Sequence, residues 1–128
     1  EDGKEYKFDF NKKENRYSCL HTQTSDTVNI GETTSITLKV FEEIDLDDVN
    51  LIRVFIKSGV ETMIAKLVDK DYTFHTQDGG LLIPFTLSSY ETSTFSIAQD
   101  LNIQLLIVFN DETTSMSRVI KLNVRDTL

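Results

Sequence analysis

The sequence predicts an all-β domain, a sandwich of two antiparallel sheets with about seven strands. Three observations carry that prediction. Apolar and polar residues alternate with a period of two in segment after segment, clearest at Ile36, Leu38 and Val40 with Thr37 and Lys39 between them. Such a period gives a strand one dry face and one wet face, and a helix cannot use it. Turn signals recur between these segments at Gly31-Glu32-Thr33, Ser58-Gly59, Asp78-Gly79-Gly80 and Asn110-Asp111-Glu112. Proline occurs once, at Pro84, so it barely interrupts the strands.

Taken in order, Tyr6, Phe8 and Phe10 alternate with Lys7 and Asp9 as a first strand, after a polar leader, Glu1–Lys4, expected to be disordered. Asn11 to Asn15 reads as a charged loop, and Arg16 to Thr22 as a further strand. Val28 and Ile30 precede the Gly31 turn, and Ile36 to Val40 follows it. Glu42 to Asn50 is acidic, short and unpatterned, hence a loop. Leu51 to Lys57 places Ile52, Val54 and Ile56 on one face. Val60 to Val68 fits either a strand or a helical turn. Tyr72 and Phe74 come next, and Asp78-Gly79-Gly80 marks a hairpin, since glycine accepts φ > 0.

Leu81, Ile83, Phe85 and Leu87 share a face, and Pro84 among them points to an edge strand because it lacks a ladder donor. Ser88 to Asp100 is a polar connection with Phe95 and Ile97 as anchors. Leu101, Ile103, Leu105, Ile107 and Phe109 form the longest strand face, and Met116 to Val124 the last strand, with Ile120, Leu122 and Val124 pointing one way. Each large apolar side chain so buried contributes roughly 1.5–3 kcal/mol. A small barrel is the rival architecture.

At 128 residues the chain fits one domain, 1–128, and can build a core without staples. An apolar content of 39% with 27% charged residues describes a globular chain. The lone Cys19 rules out an internal disulfide and leaves the redox compartment open. The longest apolar run, Leu105 to Phe109, is far short of the ~20 residues of a membrane span. A net charge of −8, with Lys12-Lys13 and Arg16 as the one local basic group, argues against nucleic acid as a partner.

Candidate chemistry is sparse. Cys19 and His21 would share a strand face, yet two ligands do not make a metal site and no second pair is visible. Asp45, Asp47, Asp48 and Asn50 resemble a calcium loop, but counted from Asp45 the sixth and twelfth positions are Asn50 and Ile56, where a helix–loop–helix site wants Gly and Glu. A looser calcium site between sandwich loops is the other reading of that acidic stretch. No serine or threonine lies in a nucleophile elbow, and no phosphate loop is present. We therefore expect no enzyme, no catalytic residue, no metal and no cofactor; a site built from His75 and nearby carboxylates is the enzymatic rival.

One surface signal is left over. If Ile52, Val54 and Ile56 face inward, Leu51 and Phe55 face out. If Leu105 and Ile107 face inward, Leu106 and Val108 face out, as does Val119 on the last strand. Neighbouring strands would merge Leu51, Phe55, Leu106, Val108 and Val119 into an apolar patch larger than a monomer usually leaves bare. Either the patch binds another protein, or the N-terminal segment or Val60–Val68 covers it.

Several stretches together resemble the TraQ family of Bacteroidetes conjugative transposons. They are Ile30-Gly31-Glu32-Thr33 leading into Ser35–Leu38, Leu51–Phe55 closed by Ser58-Gly59, Asp71-Tyr72, Phe85–Ser89, and Ile103 to Glu112. The resemblance covers most of the chain from about Thr27 onward. It implies an immunoglobulin-like sandwich in an exported cell-envelope or secreted protein, a lipoprotein if a lipid-accepting cysteine lies upstream of Glu1. It also implies protein–protein interaction within a conjugation apparatus and brings no catalytic residues. A carbohydrate- or surface-binding module of a secreted bacterial protein is the alternative function, with Tyr72 and Tyr90 as the aromatics in plausible loops.

Overall fold

The alternation becomes two facing sheets in the computed structural model, which describes residues 19–126. The expected leader, the strand at Tyr6, Phe8 and Phe10, the Asn11–Asn15 loop and residues 16–18 lie outside the described residues; in the rest of the expected Arg16–Thr22 strand, Leu20 makes an isolated bridge to Ser117 and Thr22 opens β1. A smaller sheet contains β1 (Thr22–Gln23), β3 (Thr34–Val40), β7 (Leu81–Leu87) and β6 (Phe74–His75), in the order β1-β3-β7-β6. A larger one has the order β10-β8-β4-β5, made of β10 (Ile120–Lys121), β8 (Leu101–Phe109), β4 (Val49–Ser58) and β5 (Glu61–Val68). To this sheet β9 (Thr114–Met116) is added, also pairing with β8. All these pairings are antiparallel. A third ladder is parallel and joins β2 (Thr27–Asn29) to β11 (Asn123–Arg125).

The inward residues of the long strands form one core. Ile36, Leu38, Val40, Leu81, Ile83 and Leu87 of the smaller sheet are fully buried, and so are Ile52, Val54, Ile56, Leu105 and Ile107 of the larger. Every second residue of β8 is buried from Leu101 to Phe109, which is why that stretch alternates so cleanly in the sequence.

Eleven strands are described where about seven were expected. The surplus comes from short pieces, and the C-terminal segment shows why. Leu106 faces Met116, but Ile103 faces Ile120, one residue further than uniform pairing allows. This one-residue slip behaves as a bulge and exchanges the two faces of the strand. Thr113, Ser115 and Ser117 are buried before it, and Leu122 after it. The single strand expected from Met116 to Val124 is therefore the end of β9, then β10, then β11, although Ile120, Leu122 and Val124 do pack on the core.

Other expectations shift in smaller ways. Val60 to Val68, open between strand and helical turn, is strand β5 from Glu61 onward. The acidic loop holds a 3₁₀ turn at Leu46–Asp48 and a buried Ile44, and β4 begins within it at Val49. The polar connection opens with a helical turn, α1 (Ser89–Thr92), started by a capping box between Ser88 and Glu91. Phe95 anchors that connection, whereas Ile97 is 62% exposed beside the Ser96–Gln99 turn and anchors nothing.

Pro84 sits one strand in from the sheet edge, not on an edge strand, for a local reason. The Thr37 N–H is taken by the Asp26 carboxylate at 2.7 Å and so points away from β7. Thr37 faces Pro84, which makes this a non-hydrogen-bonded pair, and the missing proline donor faces away from β3. On that flank β6 reaches only Leu81 and Leu82. Pro84 thus occupies a stretch where β7 is an edge in all but name.

Candidate interaction surface

The outward face of the larger sheet follows from its register. Leu51 lies opposite Val108, and Val108 opposite Thr114. In the next row Leu67, Arg53, Leu106 and Met116 run across β5, β4, β8 and β9. Ala65, Phe55 and Gln104 form the row beyond. Leu51, Phe55, Leu106 and Val108 are half-buried by one another and their neighbours. Leu67 is 68% exposed, and Met116 is exposed too.

Four of the five residues expected on this face, Leu51, Phe55, Leu106 and Val108, therefore meet on two adjacent strands. Val119, expected within the last strand, lies in the link between β9 and β10 and is exposed. Leu67, Ala65 and Met116 belong to the face but were missed. Of the two expected covers, Val60–Val68 lies edge-on as β5 and widens the face. Residues 1–18 lie outside the described residues.

Polar side chains border the apolar rows. Lys57 Nζ donates to Gln104 Oε1 at 2.6 Å, and Gln104 Nε2 donates to the Ser117 carbonyl at 3.0 Å. Arg53 stands between Leu106 and Leu67, its stem able to cover apolar surface while its charge stays wet.

The other candidate chemistry is engaged in local structure. The Cys19 thiol donates to the Leu20 carbonyl at 3.7 Å, and His21 Nδ1 lies 2.6 Å from Glu42 Oε2. Asp45 caps the 3₁₀ turn by accepting the Asp47 N–H at 3.0 Å. Asn110 ties that turn to the β8–β9 connection through the carbonyls of Asp47 and Asp48. Among the described residues no group of three or more His, Cys, Asp or Glu is assembled as a metal site, and no helix is long and apolar enough to cross a membrane. His75 is exposed on β6. Tyr72 is 70% exposed beside the seam between the sheets, and Tyr90 is 80% exposed on α1.

No protein-family model matches the chain, and no curated protein is detectably similar to it.

Proposed function

We propose that this domain is a non-enzymatic, exported immunoglobulin-like module that acts by protein–protein contact through the outer face of its larger sheet. The observation that supports this is the contiguity of Leu51, Phe55, Leu67, Leu106, Val108 and Met116 across four adjacent strands. Extended apolar surface in water is unfavourable, and the largest bare patch of a monomer is often where its partner sits. Arg53 at the centre adds a residue type enriched at interfaces. The resemblance of the Ile30–Leu38, Leu51–Phe55 and Ile103–Glu112 stretches to the TraQ family supports placing the contact in a conjugative-transposon transfer apparatus of the cell envelope.

Replacing Leu106 and Val108 together by Lys is expected to leave the domain folded, because both side chains stand on the outer face. Capture of a protein partner from envelope extracts by the tagged domain is expected to be lost. A double variant that does not fold would mean that the face is covered from within the chain, and the proposal fails. It fails equally if the unaltered domain captures no protein.

A carbohydrate-binding role is the second reading, favoured by one observation. Tyr72 borders a groove that also contains Lys66, and Lys66 Nζ is held at 3.0 Å by Glu91, the neighbour of Tyr90. Tyr72 and Tyr90 are both largely exposed, and exposed phenol rings are side chains on which sugars can stack. Glycan-array binding abolished by Tyr90→Ala would establish this reading over the first.

A further inference from the structure

We infer that the free edge of β5 receives an extended segment of the partner chain, paired to it as an added strand. This rests on the protein-contact reading and specifies the form the partner takes. The Leu105 N–H donates to Ser117 Oγ and its carbonyl accepts the Ser117 N–H, both at 2.9 Å, so both groups point away from β4. Residues facing each other in an antiparallel pair alternate between bonded and non-bonded. Val54, which faces Leu105, therefore turns its own groups toward Lys66 of β5. The N–H and C=O of Ala65 and Leu67 must then point off the sheet, and among the described residues β5 is its last strand.

Grooves flank that edge on both sides. One, of about 370 Å³, lies at the seam between the sheets and is lined by Lys66, Val68, Tyr72, Pro84 and Phe85. The other, of about 440 Å³, lies on the outer side against Leu51, Leu67 and Lys70. Leu67, Val68 and Asp69 border both. Successive side chains of an added strand point to opposite faces, so each groove takes alternate residues of the incoming segment.

Charge specifies the segment further. Lys66 is held by Glu91, and Lys70 Nζ donates to the Val49 carbonyl at 2.7 Å. Lys70 keeps its charge there, but Asp69 and Asp71 together outweigh it and leave the C-terminal end of β5 acidic, in a chain of net charge −8. The matching segment has apolar residues at alternate positions and Lys or Arg at the end that meets Asp69. The β4–β5 register shift beside Ile56 and the seam-facing charge of Lys66 keep the usable edge short. A short edge selects one segment and resists open-ended pairing.

The test is panning of a display library of short random peptides against the whole chain, followed by affinity measurement. We expect enrichment of alternating apolar peptides with a basic end. Ala65→Pro should leave the melting transition in place, because the N–H it removes makes no bond to β4. It should weaken those peptides about tenfold, the loss of one or two backbone hydrogen bonds. N-methylation of alternate peptide amides should do the same against the unaltered chain, which keeps the test intact if the proline variant does not fold. No enrichment, or binding indifferent to both changes, overturns the inference. A partner from envelope extracts that is lost in the Leu106→Lys, Val108→Lys variant but retained by Ala65→Pro overturns strand addition and leaves the protein contact standing. A partner retained by both variants overturns both.

Discussion

Glu42 joins the beginning of β1 to the end of β3 with a single carboxylate. One oxygen accepts the His21 N–H at 2.9 Å, and the other lies 2.6 Å from the His21 ring. Burial pushes this carboxyl up, but the hydrogen bonds from the His21 ring and backbone outweigh it and hold Glu42 below its ordinary value of 4.5. A depressed carboxylate contributes stability that is complete above the ordinary value and is lost as pH falls through the lowered, folded one. Glu42→Gln is expected to cost about 1 kcal/mol at neutral pH. That difference should shrink as the pH drops below 4.5, as urea unfolding at a series of pH values would record. Residue-level chemistry of this kind was not legible in the sequence. A local reading sees only Cys19 beside His21, and nothing in that pattern points to a carboxylate far along the chain.

Glycines divide into two kinds at the same scale. Gly79 has φ +91, which the hairpin reading of Asp78-Gly79-Gly80 anticipated. Gly80 is glycine for another reason: a Cβ there would meet the Val40 carbonyl oxygen at 2.8 Å. Glu112 takes a positive φ of 73 in the β8–β9 turn without being glycine. Glu112→Gly should therefore raise stability by up to about 1 kcal/mol, the relief of a left-handed side chain less the entropy of glycine. A shift in the midpoint of chemical unfolding measures it.

At the scale of elements, strands were legible in proportion to how completely one face is buried. β3, β7 and β8 each alternate with the core along their length, and the sequence shows it. β5 does not, because among the described residues it is the last strand of its sheet and only Val68 at its end is buried. For the same reason only part of the candidate face could be read locally. Leu51, Phe55, Leu106 and Val108 stand out as apolar residues between core positions. Leu67 and Met116 join them only through the pairing of β5 and β9, which is long-range information. The capping box at Ser88 was a missed local signal, since Ser88 is followed three residues later by Glu91. Ser88→Ala is expected to cost about 1 kcal/mol, read by the same unfolding assay. Glu91, held below the ordinary carboxylate range chiefly by the Ser88 N–H, ties that turn to Lys66 on β5.

Across the whole molecule the two sheets, the protein-contact face and the β5 edge are set by pairings between distant segments. Such a topology folds slowly, because loop closure must precede the contacts that reward it. Refolding by dilution from urea is expected in the range of about milliseconds to seconds, followed by the near-ultraviolet signal of the tyrosines. A microsecond phase carrying the full amplitude would contradict this.

The parallel ladder between β2 and β11 has a temporal consequence. Val28 gains its neighbour Val124 only when nearly the whole described chain exists. During synthesis the ribosome must release the Asn123–Arg125 stretch before that seam can be sewn. Until then the β2 side of the core stays open, and a nascent chain halted before Asn123 is expected to leave Val28 and the apolar surface around it accessible to solvent.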